Sequence, residues 1–313
     1  MRLRDIPPET YARDVLPLTA PLWSGNRSFD EYVSETLAFA RSRYGRRHFR
    51  TIGLYDGGRL LASFKQYERT LRDGSRRFSA IGFGAVFTAE ELRGRGYASV
   101  MLALALDRAR AAGTGIGFLF SDIHPQFYAA LGFEALPSRA FSLSADALPK
   151  TRLSLARLTD AGWNDARRVF DACEKDRAAG FLRDAAFWRW IAERSRRGGD
   201  ANFVVRRRGR IVAYVLGNRE PDRDAFILEE FGFADDAAAA EIPALLRAAA
   251  GDLRRVIGWL PPEHARAALP KLAVRKRARA ILMMAPLASG AERLIATLAA
   301  EKRGDPSWPT DHI

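Results

Sequence analysis

The sequence predicts an α/β (α+β) protein with two successive domains, each built on a mixed central sheet flanked by helices. Strand and helix patterns alternate along both halves of the chain, and each half contains one β-hairpin pattern. The first hairpin turns at Asp56-Gly57-Gly58 and the second at Arg208-Gly209-Arg210. The chain has 313 residues, which is enough for two domains of ordinary size.

We expect the first domain at residues 1–148, the second at 151–290, and a C-terminal helix and tail at 291–313. Phe141-Ser142-Leu143 is expected to close the first domain, with Ala145–Lys150 as the linker. In the first domain we expect strands at 1–6, 49–55, 59–69, 77–88 and 115–120. We expect helices at 8–19, 29–43 and 97–112. In the second domain we expect strands at 151–158, 203–205, 211–216, 225–233 and 256–260. We expect helices at 161–176, 184–197 and 237–250.

The segment from Phe78 to Pro137 organises the first domain. Within it, an apolar strand at Ala80–Thr88 precedes an apolar helix at Tyr97–Ala112, and Gly113 stands where a left-handed C-cap is wanted. The turn Arg93–Ser99 joins the two. A glycine-rich turn of this kind exposes backbone N–H groups at the positive end of a helix, which predicts a phosphate site.

Two familiar phosphate loops do not fit this turn. A Walker loop requires Gly-Lys-Ser/Thr after four residues, and the turn contains no lysine. A dinucleotide fingerprint requires a third glycine, but Gly94-Arg95-Gly96 is followed by Tyr97, Ala98 and Ser99. The pattern that fits is Arg/Gln-x-x-Gly-x-Gly/Ala, which Arg93, Gly96 and Ala98 satisfy.

This turn resembles the pyrophosphate loop of the GNAT superfamily, the GCN5-related N-acetyltransferases. The resemblance extends downstream, where the strand Gly115–Phe120 is followed by Phe127-Tyr128 and then Leu131-Gly132-Phe133, similar to the family's FY and LGF segment. It implies two tandem GNAT-like domains and acetyl-CoA as acetyl donor. The implied cofactor-binding residues are Val86, Phe87, Thr88, Arg93, Gly94, Arg95, Gly96, Tyr97, Ala98 and Ser99.

The strand before the turn is implied to pair with the pantetheine arm of the cofactor through the backbone of Val86, Phe87 and Thr88. Gly82 and Gly84 lie within the same strand. Paired glycines in a strand indicate either a β-bulge or the close approach of a ligand to the backbone. Both alternatives are open at this point.

The resemblance also implies the catalytic residues. Tyr128 matches the family's tyrosine and is the candidate general acid for the departing thiolate, since a phenol is protonated at neutral pH. Asp122 and His124 lie between the strand and Tyr128 and are local candidates for the base, although the amine proton can also leave through water. A core aromatic is the alternative reading of Tyr128.

The second domain is expected to be degenerate. At the phosphate-loop position it has Ala234-Asp235-Asp236, whose carboxylates would repel a pyrophosphate. An active and a degenerate domain in tandem resemble the Eis-type acetyltransferases, although this chain lacks room for their third, sterol-carrier-like domain. In those enzymes the C-terminal carboxylate reaches the active site. The resemblance therefore makes the carboxylate of Ile313 a catalytic candidate, with a tail that only straps the second domain as the alternative.

The composition limits the classes of ligand and partner that the sequence favours. The net charge of +13 favours anionic ligands such as coenzyme A, while the absence of a nucleic-acid module argues against nucleic acid. No apolar run of 18 residues and no secretory leader pattern are present, and Cys173 is the single cysteine, so we expect a cytoplasmic protein without membrane spans. The few histidines show no metal-ligand spacing, so no metal is expected. A homo-oligomer is compatible with the sequence.

These observations favour an acetyl-CoA-dependent N-acetyltransferase that acts on a primary amine by direct attack on the thioester. Two alternatives stay open. The first is transfer to oxygen, or transfer of another acyl group, on the same fold. The second is a non-catalytic acyl-CoA sensor, which would need the loop but not the phenol of Tyr128.

Overall fold

The computed structural model describes residues 1–25, 27–150, 156–198, 201–302 and 304–312. The chain divides into two compact units. The first unit contains Met1–Leu136 and Ile281–Ala296, and the second contains Pro137–Ala280 and Thr297–Ile313. Each unit is built around its own sheet.

The first unit follows the alternation expected from its sequence. Its helices are α1 (Pro8–Asp14), α2 (Leu16–Trp23), α3 (Phe29–Arg41), α4 (Gly45–His48), α5 (Tyr97–Ala111) and α6 (Pro125–Ala129). Its strands are β1 (Arg2–Asp5), β2 (Phe49–Asp56), β3 (Arg59–Asp73), β4 (Arg76–Phe87), β5 (Ile116–Ser121) and β6 (Glu134–Ala135). Ser28 caps α3, because its side chain and that of Glu31 form a reciprocal capping box.

The second unit repeats the pattern. Its strands are β7 (Arg139–Ser144), β8 (Ala156–Arg157), β9 (Ala179–Leu182), β10 (Phe203–Arg207), β11 (Arg210–Glu220), β12 (Ala225–Phe233), β13 (Arg255–Trp259) and β14 (Ala273–Lys276). Its helices are α7 (Trp163–Cys173), α8 (Ala185–Gly198), α9 (Asp236–Ala239), α10 (Ile242–Ala250) and α11 (Glu263–Arg266). The chain continues with β15 (Ile281–Pro286), which belongs to the first unit, and α12 (Ala291–Ala299).

The two sheets share one topology. The first has the strand order β1-β2-β3-β4-β5-β15-β6, and the second has β8-β10-β11-β12-β13-β7-β14. Along each of these strand orders one parallel pair, β4 with β5 or β12 with β13, interrupts an otherwise antiparallel arrangement. The predicted fold class, two mixed sheets flanked by helices in a tandem GNAT-like arrangement, is confirmed.

The units differ from the expected boundaries because β7 and β15 each belong to the sheet of the other half of the chain. β7, which contains Phe141–Leu143, pairs with β13 and β14 rather than closing the first domain. β15 pairs with β5 in the first sheet, although it lies within the range assigned to the second domain. The hydrophobic pattern could not reveal this exchange, since an inner strand is equally apolar in either sheet.

Two expected helices are each interrupted. The segment 8–19 contains parts of α1 and α2, and the segment 237–250 contains parts of α9 and α10. Pro17 and Pro243 stand in the first turns of α2 and α10, where a proline starts a helix but cannot continue the previous one. Residues 151–155 of the strand expected at 151–158 lie outside the described residues. Within the described ranges, every helix is too short or too polar to cross a membrane.

Candidate active site

The turn before α5 leaves backbone N–H groups free at the start of a long helix. Gly94 and Gly96 have φ angles of 75° and 76°, in the left-handed region that favours glycine. Gly96 is the N-cap of this 15-residue helix, and no described side chain caps the first turn. Because the dipole of α5 also places partial positive charge here, the turn is suited to bind an anion.

The surface around this turn is open and carries two exposed arginines. A Cβ atom added at Gly94 or at Gly96 would meet nothing within 4 Å, so the glycines are required by their φ angles and not by crowding. Arg93 and Arg95 are exposed, while Tyr97, Ala98 and Ser99 in the first turn of α5 are half-buried. The guanidinium Nε of Arg93 donates a hydrogen bond to the carbonyl oxygen of Thr88 at 3.2 Å, which ties the turn to the end of β4.

The end of β4 separates from β5. Within the described residues, their parallel ladder ends at the pair Phe83–Leu119, although β4 continues to Phe87. The ladder with β3 is irregular at the same place, because Ser63 pairs with Phe87 while Lys65 pairs with Gly84. The extra residue on β4 is a β-bulge, in which Ala85 has a φ of 45°. The backbone beyond Phe83 is therefore available on its β5 side.

The two strand glycines have a packing role. A Cβ atom at Gly82 would lie 2.5 Å from the ring of Phe118, and one at Gly84 would lie 2.8 Å from the ring of Tyr67. Both glycines therefore make room for aromatic rings from the neighbouring strands. The bulge that they indicated is real but begins one residue later, at Ala85.

The cofactor segment and the tyrosine helix meet on one hydrophobic cluster. Val86, Tyr97 and Tyr128 are partly buried side chains that pack against the same core, which includes Met101 and Leu102 of α5. Phe87 instead contacts Trp23 of α2, with ring centroids 6.5 Å apart. Since β4 and β5 are parallel, their carboxyl ends lie at one edge of the sheet, where binding sites of α/β proteins are commonly found.

Tyr128 is held beside an acidic neighbour. Its ring lies 5.0 Å from that of Phe127 and 6.3 Å from that of Phe133, centroid to centroid. Burial, and then the charge of Asp122, raises the pKa of the Tyr128 phenol to about 12. The phenol is therefore protonated at neutral pH. It is a proton donor rather than a base under these conditions.

The two candidate bases lie in the exposed loop between β5 and α6. Asp122 acts on Tyr128 through its charge. His124 is exposed and has a φ of 56°, which places it in the left-handed conformation immediately before Pro125 starts α6. Among the described residues, no group of three or more His, Cys, Asp or Glu side chains is arranged to hold a metal ion.

The equivalent turn of the second unit is closed by its own side chain. Asp235 is the N-cap of α9, and its carboxylate accepts a hydrogen bond from the backbone N–H of Ala238 at 2.7 Å. Arg207 lies 3.4 Å from the same carboxylate. The helix N-terminus that is open in the first unit is thus occupied in the second by a carboxylate of the chain.

The tail of the chain packs into the second unit. Trp308 is buried, its indole Nε1 donates to a carboxylate oxygen of Glu174 at 3.0 Å, and its ring lies 5.2 Å from that of Phe231 on β12. The ring of His312 lies 5.8 Å from that of Trp259 on β13. The tail therefore lies beside the ends of β12 and β13. Ile313, whose carboxylate was a catalytic candidate, lies outside the described residues.

One group near the site was missed from the sequence. Lys65 on β3 pairs with Gly84 at the bulge and approaches the rings of Tyr11 and Tyr32. These residues come from α1, α3 and β3, so no local spacing links them. The available signal was weak: Lys65 directly follows the mostly apolar segment Leu60–Phe64 of the predicted hairpin.

Comparison with known proteins agrees with this geometry. Residues 22–136 match the family model described as "Acetyltransferase (GNAT) domain". The structure resembles a GCN5-related N-acetyltransferase from Kribbella flavida, with a TM-score of 0.67 and 23% identity over 95% of this chain and 74% of that one. It also resembles Eis1 from Mycobacterium abscessus, with a TM-score of 0.60 and 13% identity over 91% and 73%.

A third similar structure is Saccharomyces cerevisiae N-myristoyltransferase with bound myristoyl-CoA, with a TM-score of 0.57 and 9% identity over 91% of this chain and 78% of that one. No curated protein matches the chain in sequence. The family model and the fold together support a protein of the acyltransferase class. Residues 22–136 match a GNAT domain, and the fold of most of the chain matches that of the Kribbella flavida protein.

Proposed function

We propose that the protein transfers the acetyl group of acetyl-CoA to a primary amine, which attacks the thioester directly. The observation that carries this proposal is the pairing of an open helix N-terminus with a freed strand edge. The two glycines before α5 leave N–H groups for a pyrophosphate, and β4 leaves its backbone free beyond Phe83 for the pantetheine arm. The acetyl group itself is inferred from the description of the family model.

In this proposal the coenzyme is held by backbone more than by side chains. The pyrophosphate lies at Arg93–Ser99, where Arg93 and Arg95 add positive charge. The pantetheine arm continues the sheet along Val86, Phe87 and Thr88, as a strand would. A backbone N–H group of this bulged segment then donates to the thioester carbonyl oxygen and stabilises the negative charge that develops on it.

The reaction balances without a cofactor other than the donor. The neutral amine forms a C–N bond to the carbonyl carbon, and the C–S bond then breaks to release the thiolate of CoA. The amine nitrogen loses one proton and the thiolate gains one. Asp122, His124 or water removes the earlier proton that the incoming ammonium must lose to become the neutral amine, and Tyr128 passes the nitrogen proton of the intermediate to the sulfur.

The raised pKa of Tyr128 bears on its role. A thiol has a pKa of about 8.5, so complete transfer from a phenol with a pKa of about 12 is uphill unless Tyr128 regains a proton. The protonated nitrogen of the tetrahedral intermediate can supply it. We therefore infer that Tyr128 donates a hydrogen bond to the departing sulfur and passes a proton from nitrogen to sulfur.

Two remaining features concern the location of the protein and the role of its second unit. The single Cys173 excludes an internal disulfide and is compatible with the reducing cytoplasm, where we place the protein. The second unit does not bind CoA in this proposal, because Asp235 occupies the position of the phosphate.

The proposal is tested with Tyr128→Phe. We expect kcat with an accepted amine to fall about 10²- to 10⁴-fold, the usual contribution of a general acid, while the Kd for acetyl-CoA stays unchanged. Phe127→Leu is the control, since it disturbs the same helix without removing a hydroxyl. If Tyr128→Phe retains turnover within about threefold, or Phe127→Leu loses as much, the tyrosine only packs and the sensor alternative gains support.

A further inference from the structure

Lys65 occupies an unusual environment beside the proposed acetyl site. Its Nζ atom lies 5.5 Å from the ring centroid of Tyr32 and 6.0 Å from that of Tyr11. Both tyrosines are buried, whereas Lys65 itself is only partly covered and reaches solvent. Contacts of an ammonium with aromatic faces stabilise its charge but accept none of its N–H hydrogen bonds.

Within the described part of the chain, Lys65 makes no ion pair and no hydrogen bond. The nearby Arg27 is satisfied, because it forms an ion pair with Glu35 and stacks on Tyr32 at 5.4 Å. Burial, and then the charge of Arg27, lowers the pKa of Lys65 to about 8. A cation kept partly out of water without a carboxylate is costly, so its presence suggests an anion that arrives from outside.

Two other polar groups of this cluster also have unsatisfied hydrogen-bonding capacity. The Tyr11 hydroxyl faces Ser63 Oγ without a well-formed hydrogen bond, and neither atom has another partner among the described residues. Ser63 and Lys65 are two positions apart on β3 and therefore lie on one face of the sheet. An anion at Lys65 would thus find two hydroxyl groups nearby.

The cluster adjoins the bulge of β4. Lys65 pairs with Gly84 and Ser63 pairs with Phe87, so the two residues flank the bulge from the neighbouring strand, about 4.8 Å away. Phe64, between them, packs on the opposite face with the core of α5. Lys65 therefore lies on the sheet face away from the helix whose N-terminus is proposed to bind the pyrophosphate, so an anion at Lys65 would not overlap that site.

We propose that Lys65 binds a carboxylate of the acceptor, which makes the acceptor a small amine that also carries a carboxylate group, such as an amino acid. The inference rests on the proposed acetyl transfer. A carboxylate fits better than a phosphate, because the Arg27–Glu35 pair is neutral and leaves Lys65 as one uncompensated positive charge. The short distance from Lys65 to the bulge requires the amine and the carboxylate to be close together in the acceptor.

The proposal predicts how the preference for an acid over its amide depends on pH. Lys65 binds a carboxylate only when protonated, so selectivity for the acid is constant below pH 8 and declines above it, up to tenfold per pH unit. The tyrosines facing Lys65, Tyr11, Tyr32 and Tyr67, have raised pKa values and stay neutral over this range. Among the described residues, the charge that acts on Lys65 is that of Arg27, which is paired with Glu35. Comparing each acid with its amide removes the effect of amine ionisation.

The experiment measures kcat/KM of the full chain for the common amino acids, each paired with its amide, and for aminomethylphosphonate as a phosphate-like probe. We expect at least one amino acid to exceed its amide by tenfold or more. Lys65→Met should lower this preference to within about threefold without changing the Kd for acetyl-CoA. Lys271→Met, at an exposed lysine of the second unit, is the matched control and should keep the preference.

Each outcome separates the inference from the function on which it rests. If amides or the phosphonate are preferred, if Lys65→Met keeps the preference, or if acetyl-CoA binds but no amino acid is acetylated, the carboxylate site is refuted. Acetylation of other amines would then still support the proposed function. A chain that does not bind acetyl-CoA would refute the proposed function itself.

Discussion

The two units have the same strand order but differ in the turn that follows β4 in the first unit and β12 in the second. After β4, the turn Arg93–Gly96 has two left-handed glycines and leaves the start of α5 uncapped. After β12, Asp235 caps the four-residue α9 with its own carboxylate. Gly96 supplies only backbone where Asp235 supplies a side chain. One turn is thus open to an external anion, and the other already contains an internal one.

The ends of β4 and β12 differ in the same way as the turns, since one is open and the other is covered. The ladder of β4 with β5 ends at Phe83, and that of β12 with β13 ends at the pair Leu228–Gly258. In the second unit, the tail fills the space beside the freed strand end, where Trp308 packs on Phe231 and Thr310 bonds to Glu230. The comparison teaches that a shared fold keeps or loses a cofactor site through a few residues at its loops.

The largest expected effect concerns the charges that hold the tail. Arg183 is fully buried and lies 2.7 Å from Glu230 and 3.0 Å from Asp311, atom to atom. Arg183→Met would leave two carboxylates buried without their cation, so the free energy of unfolding should fall by about 3–5 kcal/mol. Denaturant unfolding followed by tryptophan fluorescence measures this, since Trp308 lies in the same unit.

Arg223→Met is the matched control, because Arg223 pairs with Glu220 at an exposed site. It should cost at most about 1 kcal/mol. Equal and small effects of the two substitutions would mean that the tail is not fixed by its buried charges. The contrast with the open strand end of β4 would then lose its physical basis.

A smaller effect is expected at the closed turn. Asp235→Ala removes the cap of α9 and should lower the free energy of unfolding by about 1 kcal/mol. Asp236→Ala, which removes a carboxylate without the capping bond, should cost less, about 0.3 kcal/mol. Neither substitution should create a second CoA site, because the turn still lacks left-handed glycines. Measurable binding of a second CoA would contradict that reasoning.

The sequence predicted those parts of the fold that depend on local chemistry. The hairpins, the glycine turn and the end of α5 at Gly113 follow from turn residues and glycines that adopt left-handed φ angles. The exchange of β7 and β15 between the sheets could not be predicted, because it depends on long-range pairing that leaves the apolar pattern unchanged.

The site residues likewise divide into those that a local motif reveals and those that only long-range packing brings together. Its phosphate turn and Tyr128 lie within one continuous segment, so their spacing could be recognised as a motif. Lys65 could not be linked to Tyr11 and Tyr32, since the three residues come together only through the packing of α1 and α3 against β3. The paired glycines were ambiguous because packing of Phe118 and Tyr67 also requires them.

The number of CoA molecules bound per chain tests the central comparison most directly, and isothermal titration calorimetry measures it. We predict one site, with an affinity that falls at least tenfold in Gly96→Asp, about 1.4 kcal/mol, because a carboxylate would then replace open backbone. Gly209→Asp places the same residue at a left-handed glycine in an exposed turn of the second unit and should leave the affinity unchanged. Two sites per chain, or one site that survives Gly96→Asp, would contradict the account.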